Sequence, residues 1–174
     1  MCYLWGTKIG IQNGVRAIES FQTGDQVLAA GSSLSWTTAK IQFSNGTGPE
    51  GHQPMVCIRY GDAGTLIVTP DHPFLLPSGN LKRASRLVPG GDRLVSASGL
   101  PVEIHELSVG EFVGGVHNIA ASYSFTGSMD GHLLQSEGIV SGDFTLQIHM
   151  RQLEAHDSDN VLGEMPIAQP PEVG

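Results

Sequence analysis

An all-β fold is what this chain of 174 residues predicts, and three observations carry the prediction. It holds 23 glycines and 10 prolines, a density of turn formers that suits many short strands better than helices. Short β-type runs recur from residue 3 to about 145 at the spacing of roughly 8–12 residues expected of a sandwich or barrel. Finally, one stretch resembles another. Asn13-Gly14-Val15-Arg16-Ala17-Ile18-Glu19 through Gly24-Asp25-Gln26-Val27-Leu28 is echoed by Ser78-Gly79-Asn80-Leu81-Lys82-Arg83-Ala84 through Gly91-Asp92-Arg93-Leu94-Val95. Both copies read turn, strand, polar turn, Gly-Asp, strand, which predicts two pseudo-symmetric β subdomains sharing one core.

The runs that justify the elements are 8–11, 26–30, 38–43, 55–60, 65–68, 93–97, 103–109, 115–121 and 131–135. Asn13-Gly14, Ser78-Gly79 and Glu137-Gly138 read as turns. Cys57, flanked by Met55, Val56 and Ile58, reads as a core strand residue. Near Phe144 the texture changes. Leu146, Met150 and Leu153 fall at helical spacing and predict a short helix within 144–156. Residues 157–174 are polar, then Pro-rich, and read as a disordered tail after a main domain of 1–143.

Composition narrows the function. A net charge of −8 and a pI near 5.2 argue against nucleic-acid or anionic-membrane partners. No apolar run approaches the roughly 20 residues needed to span a bilayer. A hydrophobic share of 40% with 15% charged residues suits a globular domain, and a monomer is expected. Two cysteines, Cys2 and Cys57, form neither a disulfide framework nor a C-x-x-C metal site, and they leave the cellular compartment open. His52, His105, His149 and His156 follow no ligand spacing.

The chemistry sits at the beginning of the chain. Met1-Cys2-Tyr3-Leu4-Trp5-Gly6-Thr7 places a thiol next to the N-terminus, and Thr69-Pro70-Asp71-His72 follows downstream. Thiols near pKa 8.5 are strong nucleophiles, and Cys2 can reach the carbonyl of residue 1 through a five-membered ring. An N-to-S acyl shift stalls unless the departing nitrogen is protonated, a task for which imidazole is suited, so His72 is the candidate acid–base group. Thr69 can offer its hydroxyl to the same peptide bond and polarise it. Asp71, between them, faces solvent or orients an imidazole.

These residues resemble the Hint family, the autoprocessing domains of inteins and hedgehog proteins. The first block is Cys2-x-x-x-Gly6-Thr7-x-Ile9, Gly14, Ile18-Glu19 and Gly24-Asp25-x-Val27-Leu28. The second runs from Val68-Thr69-Pro70-Asp71-His72-Pro73-Phe74 to Gly91-Asp92-Arg93-Leu94. Gly131-His132-Leu133-Leu134-Gln135-Ser136-Glu137-Gly138-Ile139-Val140 is similar to the strand-turn-strand that closes the fold. The resemblance implies a horseshoe-shaped, mostly β Hint/intein fold. It also implies self-catalysed conversion of the Met1–Cys2 bond to a thioester, with Cys2, Thr69, His72, His132 and Asp71 as site residues. His132 matches a later family histidine that assists the second step. No metal or organic cofactor is called for. The partners implied are an upstream polypeptide in cis and water, a thiol or another small nucleophile.

One departure stands out. Splicing members end in His-Asn, where the Asn amide cyclises; here Gly142-Asp143 follows the closing strands instead. His117-Asn118 reads as an interior decoy. The expectation is N-terminal cleavage without splicing, with Gly142→His plus Asp143→Asn restoring some C-terminal cleavage.

Overall fold

A computed structural model describes residues 2–150. In chain order the strands are β1 (Tyr3–Leu4), β2 (Lys8–Ile11), β3 (Gly14–Ala17), β4 (Gln26–Ala29), β5 (Thr37–Lys40), β6 (Phe43–Gly46), β7 (His52–Tyr60) and β8 (Gly64–Val68). They continue with β9 (Pro73–Leu75), β10 (Leu81–Arg83), β11 (Arg93–Val95), β12 (Pro101–Val113), β13 (Val116–Ala120), β14 (Leu133–Ser136) and β15 (Ile139–Gly142). One short helix, α1 (Phe144–Ile148), follows.

All pairings are antiparallel. A seven-stranded sheet runs β11-β12-β7-β8-β1-β13-β6, a six-stranded sheet runs β10-β9-β15-β14-β2-β3, and β4-β5 form a ribbon. The six-stranded sheet shows the pseudo-symmetry directly. The hairpins β2–β3 and β9–β10 flank the central β14–β15 hairpin on opposite sides. The symmetry extends to hydrogen bonds. Thr7 N donates to the Leu4 carbonyl as His72 N donates to that of Thr69, both at 3.1 Å. Ile18 N binds the Thr7 carbonyl at 2.8 Å, and Ala84 N binds that of His72 at 2.9 Å. Each Gly-Asp motif does the same work. Asp25 pairs with Arg16 at 3.0 Å and caps Gln22 N, while Asp92 pairs with Lys82 at 2.7 Å and caps Val88 N.

Tyr3, Ile9, Ile18, Val56, Ile58, Leu66, Phe74, Leu94, Ile119 and Leu134, from both larger sheets and the turns between them, form one continuous core. A second cluster of Leu75, Val95, Leu133, Val140 and Leu146 docks α1. The β14–β15 hairpin closes on Glu137-Gly138, both at positive φ (49° and 78°), the geometry of a two-residue type I′ turn.

Three expectations need correction. The run 38–43 is two strands with different partners: β5 pairs β4, and β6 pairs β13. Continuous β propensity carries no mark of a partner change, which here occurs at Ile41 and Gln42. Strand β7 starts earlier than expected, passing through Pro54 where only β12 lies alongside, so the missing N–H costs no ladder bond. Cys57 is half-buried, on the β7 face opposite Val56 and Ile58, and so is not a core residue. The expected short helix is present as α1; the part of its expected span beyond Met150, with His156 and the tail, lies outside the described residues.

Candidate active site

The pairing of β1 between β8 and β13 sets the position of Cys2. Its carbonyl accepts from Thr69 N at 2.9 Å, and its own N–H donates to Thr69 Oγ1 at 2.7 Å. The Thr69 hydroxyl donates in turn to Asp71 Oδ1 at 3.0 Å. With its proton committed to Asp71, Thr69 meets the peptide nitrogen as an acceptor, not as the donor to that bond which the sequence suggested. Asp71 therefore orients a hydroxyl rather than an imidazole. Burial, reinforced by the Asp71 charge, pushes the Cys2 thiol above its ordinary value.

His72 sits at the end of the same turn, fully buried. Its ring lies 4.2 Å from that of Tyr3 and 5.7 Å from that of Phe74, centroid to centroid. Neither ring nitrogen makes a well-formed hydrogen bond, although the Gly142 carbonyl lies close enough to favour the protonated ring. Burial depresses its pKa to about 3, and the Gly142 carbonyl nearby offsets this only in part. The resting imidazole is thus neutral and is not a preformed acid. A neutral ring retains one unprotonated nitrogen and can take up a proton before returning it.

Beneath the imidazole runs a buried chain of hydroxyls. Tyr3 Oη is hydrogen-bonded to Ser141 Oγ at 2.5 Å, and Ser141 Oγ to Ser136 Oγ at 2.8 Å. The chain is satisfied end to end in either direction, ending on the Ile139 carbonyl (3.3 Å from Ser136) or the Gly142 carbonyl (3.4 Å from Tyr3). Tyr3, Ser136 and Ser141 escaped the sequence reading. The available signal was modest: two serines bracketing a tight turn in an otherwise apolar hairpin.

His132 occupies a separate, partly charged setting. Its Nδ1 lies 2.9 Å from Asp143 Oδ2, and its Nε2 lies 2.9 Å from the Ser124 carbonyl. Burial opposes the charged ring, but the hydrogen bond and charge of Asp143 outweigh it and the pKa is raised. Facing two acceptors, the ring is satisfied when both nitrogens carry protons. Asp143 is fully buried and also accepts from Ala121 N (3.1 Å) and from Leu146 N (2.9 Å), capping α1. Next to it, a Cβ on Gly142 would stand 2.8 Å from both Pro73 Cγ and Leu146 Cδ2, so this position has no space for a side chain.

Asn118 lies within β13, buried, with Nδ2 donating to Gln147 Oε1 at 2.9 Å, and β14 and β15 follow it. His117 instead borders a cleft of about 450 Å³ with Trp5, Glu19 and Ser44, which neither Cys2, Thr69 nor His72 lines. His52 pairs with Glu111, His105 with the Gly61 carbonyl, and His149 stacks on Phe125. Among the described residues no group of three His, Cys, Asp or Glu side chains is placed to hold a metal ion, and no helix is long and apolar enough to cross a membrane.

Comparison with solved structures now identifies the architecture. The bacterial intein-like domain of Clostridium thermocellum superposes with a TM-score of 0.67 at 20% identity, covering 82% of this chain and 97% of that one. The fold is the Hint fold. A DnaB intein from Synechocystis sp. matches with a TM-score of 0.63 at 16% identity, covering 82% of this chain and 99% of that one. The gp41-1 intein matches with a TM-score of 0.61 at 17% identity, over 82% and 98%. No family profile and no curated protein matches the sequence. At these identities the likeness establishes the Hint architecture; here Cys2 immediately precedes β1, Gly142 ends the closing strand β15, and Asp143 follows it.

Proposed function

We propose that this Hint domain converts the peptide bond preceding Cys2 into a thioester and thereby releases the polypeptide upstream. The observation that carries this reading is the hydrogen bond from Cys2 N–H to Thr69 Oγ1, itself oriented by Asp71. The nitrogen that must leave is held by the Thr69 hydroxyl, while the carbonyl of the same residue accepts from Thr69 N. Holding it fixes the bond for attack by the thiol of the same residue, which converts the first step into an intramolecular one.

The Cys2 thiol gives its proton to the unprotonated nitrogen of neutral His72. The sulfur bonds to the carbonyl carbon of residue 1, forming a five-membered tetrahedral intermediate. Collapse breaks the carbon–nitrogen bond, and the proton held by His72 passes to the departing nitrogen. The products are a thioester on Cys2 and its free α-amine. Water or a small thiol or amine then attacks the thioester carbonyl, and the Cys2 thiol is regenerated. Because the Cys2 thiol is raised by burial, the first step accelerates as pH rises through neutrality.

The C-terminal end supports cleavage without splicing. Asp143 has no amide to cyclise, and its carboxylate is held by three donors. The test places a reporter before Cys2 and follows its release on adding dithiothreitol. Thr69→Ala should slow release by roughly 10²-fold, the loss expected for one polarising hydrogen bond. Unchanged kinetics in Thr69→Ala with a native circular dichroism spectrum would remove this contact from the mechanism.

A further inference from the structure

We propose that Tyr3 is the positioning residue for His72, its ring carrying the imidazole and the Ser141–Ser136 hydroxyl chain holding that ring in place. The inference deepens the cleavage reading above and rests on it for its functional consequence.

The geometry isolates Tyr3 for this role. Neither nitrogen of the His72 ring makes a well-formed hydrogen bond, and beyond the nearby Gly142 carbonyl it is aromatic packing that fixes the ring's direction. Tyr3 supplies the nearer aromatic surface, at 4.2 Å against 5.7 Å for Phe74. A phenol ring can itself rotate or slide unless its far end is tied, and Ser141 ties it. Ser141 is fixed by Ser136 across the β14–β15 hairpin, so the tether is anchored in the centre of the six-stranded sheet. Burial keeps the phenol protonated at neutral pH, so the tether persists wherever the protein works.

This arrangement links the two ends of the fold. Tyr3 adjoins the nucleophile in sequence, while Ser141 lies just before the point where the closing hairpin ends. The residue after Cys2 therefore couples the C-terminal hairpin to the imidazole serving the bond before Cys2. A burial role alone would be met by phenylalanine and would require no serine at 136 or 141.

Two readouts test the proposal. In the first, wild type, Tyr3→Phe, Ser141→Ala and the double variant carry an upstream reporter, and thiol-induced release is timed across pH 6–9. Tyr3→Phe and Ser141→Ala should each slow release by about 10-fold, and the double variant no further, because they cut one tether. Tyr3→Leu, which removes the ring, should lose about 10²-fold, the scale of a misplaced catalytic group. Ile58→Val, a core change away from the tether, should leave the pH profile unchanged. In the second readout, the His72 Cε1 proton is followed by NMR in a Cys2→Ala background. It should stay unprotonated down to pH 5 with Tyr3 present and titrate between pH 5 and 7 in Tyr3→Leu. Silence of the wild-type reporter would count against the cleavage reading, and the NMR arm would still decide the placement of the imidazole. Wild-type release in Tyr3→Phe and Ser141→Ala, or an unmoved His72 resonance in folded Tyr3→Leu, would overturn the proposal.

Discussion

Asp143→Asn exchanges a single oxygen for an NH₂ group and should nevertheless be one of the costlier substitutions in this chain. The carboxylate accepts three hydrogen bonds, from His132 Nδ1, Ala121 N and Leu146 N, inside a site with no solvent exposure. An amide offers only one oxygen. If that oxygen keeps capping α1, the new NH₂ group faces the Ala121 N–H, and a buried donor is left unpaired at a cost of about 1–3 kcal/mol. His132 can adapt by turning neutral and accepting from the NH₂ group, but the charge-assisted bond becomes an ordinary one, losing roughly 1 kcal/mol more. The total is about 2–4 kcal/mol, which for a chain of this size corresponds to a fall in Tm of roughly 5–15 °C. The pH dependence carries a sign. The folded pKa of His132 is raised, so its contribution is fully present below the unfolded value of 6.5 and is lost as pH rises through the folded pKa. The difference between wild type and variant should therefore be larger at pH 6 than at pH 9. Urea unfolding at both pH values measures it. A variant within 0.5 kcal/mol of wild type at pH 6, roughly the scatter of surface substitutions, would refute this description of the dyad.

Three further outcomes follow from the same contacts. Gly142→His should unfold or displace α1, costing about 1–3 kcal/mol or more by overpacking against Pro73 and Leu146, so the paired change with Asp143→Asn should not restore C-terminal cleavage; intact-mass spectrometry of a fusion at both ends checks it. His72 is neutral and buried with a folded pKa of about 3 against 6.5 unfolded, so its contribution is present above pH 6.5 and declines as pH falls toward 3, by at most roughly 5 kcal/mol. Acid unfolding of His72→Gln should show a visibly shallower slope over that window. Cys57→Ser should cost under about 1 kcal/mol, since the residue is half-buried, and should leave thiol-induced release intact.

Much of the fold was legible because turn chemistry and repetition leave local marks. Gly24-Asp25 and Gly91-Asp92 announced the duplicated unit, and both aspartates make the same backbone cap and ion pair. What escaped is non-local. Nothing in 38–43 signals that β5 and β6 join different sheets, and two-residue β1 is too short for any periodicity to register. The site shows the same division. Cys2, Thr69 and His72 have recognisable residue types and spacing, and the structure brings the Thr69 hydroxyl onto Cys2 N–H. The direction of the Thr69 hydroxyl and the neutrality of His72 depend on Asp71 and on burial, which only the assembled fold reveals. His132 and Asp143 become partners only when the β14–β15 hairpin closes, pairing Leu133 with Gly142.

The most direct test of thioester formation is the mass of the released fragment. A reporter ending at the residue before Cys2 is incubated with excess small thiol, quenched in acid and weighed intact. The expected products are a released reporter carrying the thiol as a C-terminal thioester and a remaining domain that begins at Cys2, with no release from Cys2→Ala. Release of equal amount from Cys2→Ala, or cleavage at any other bond, would contradict it.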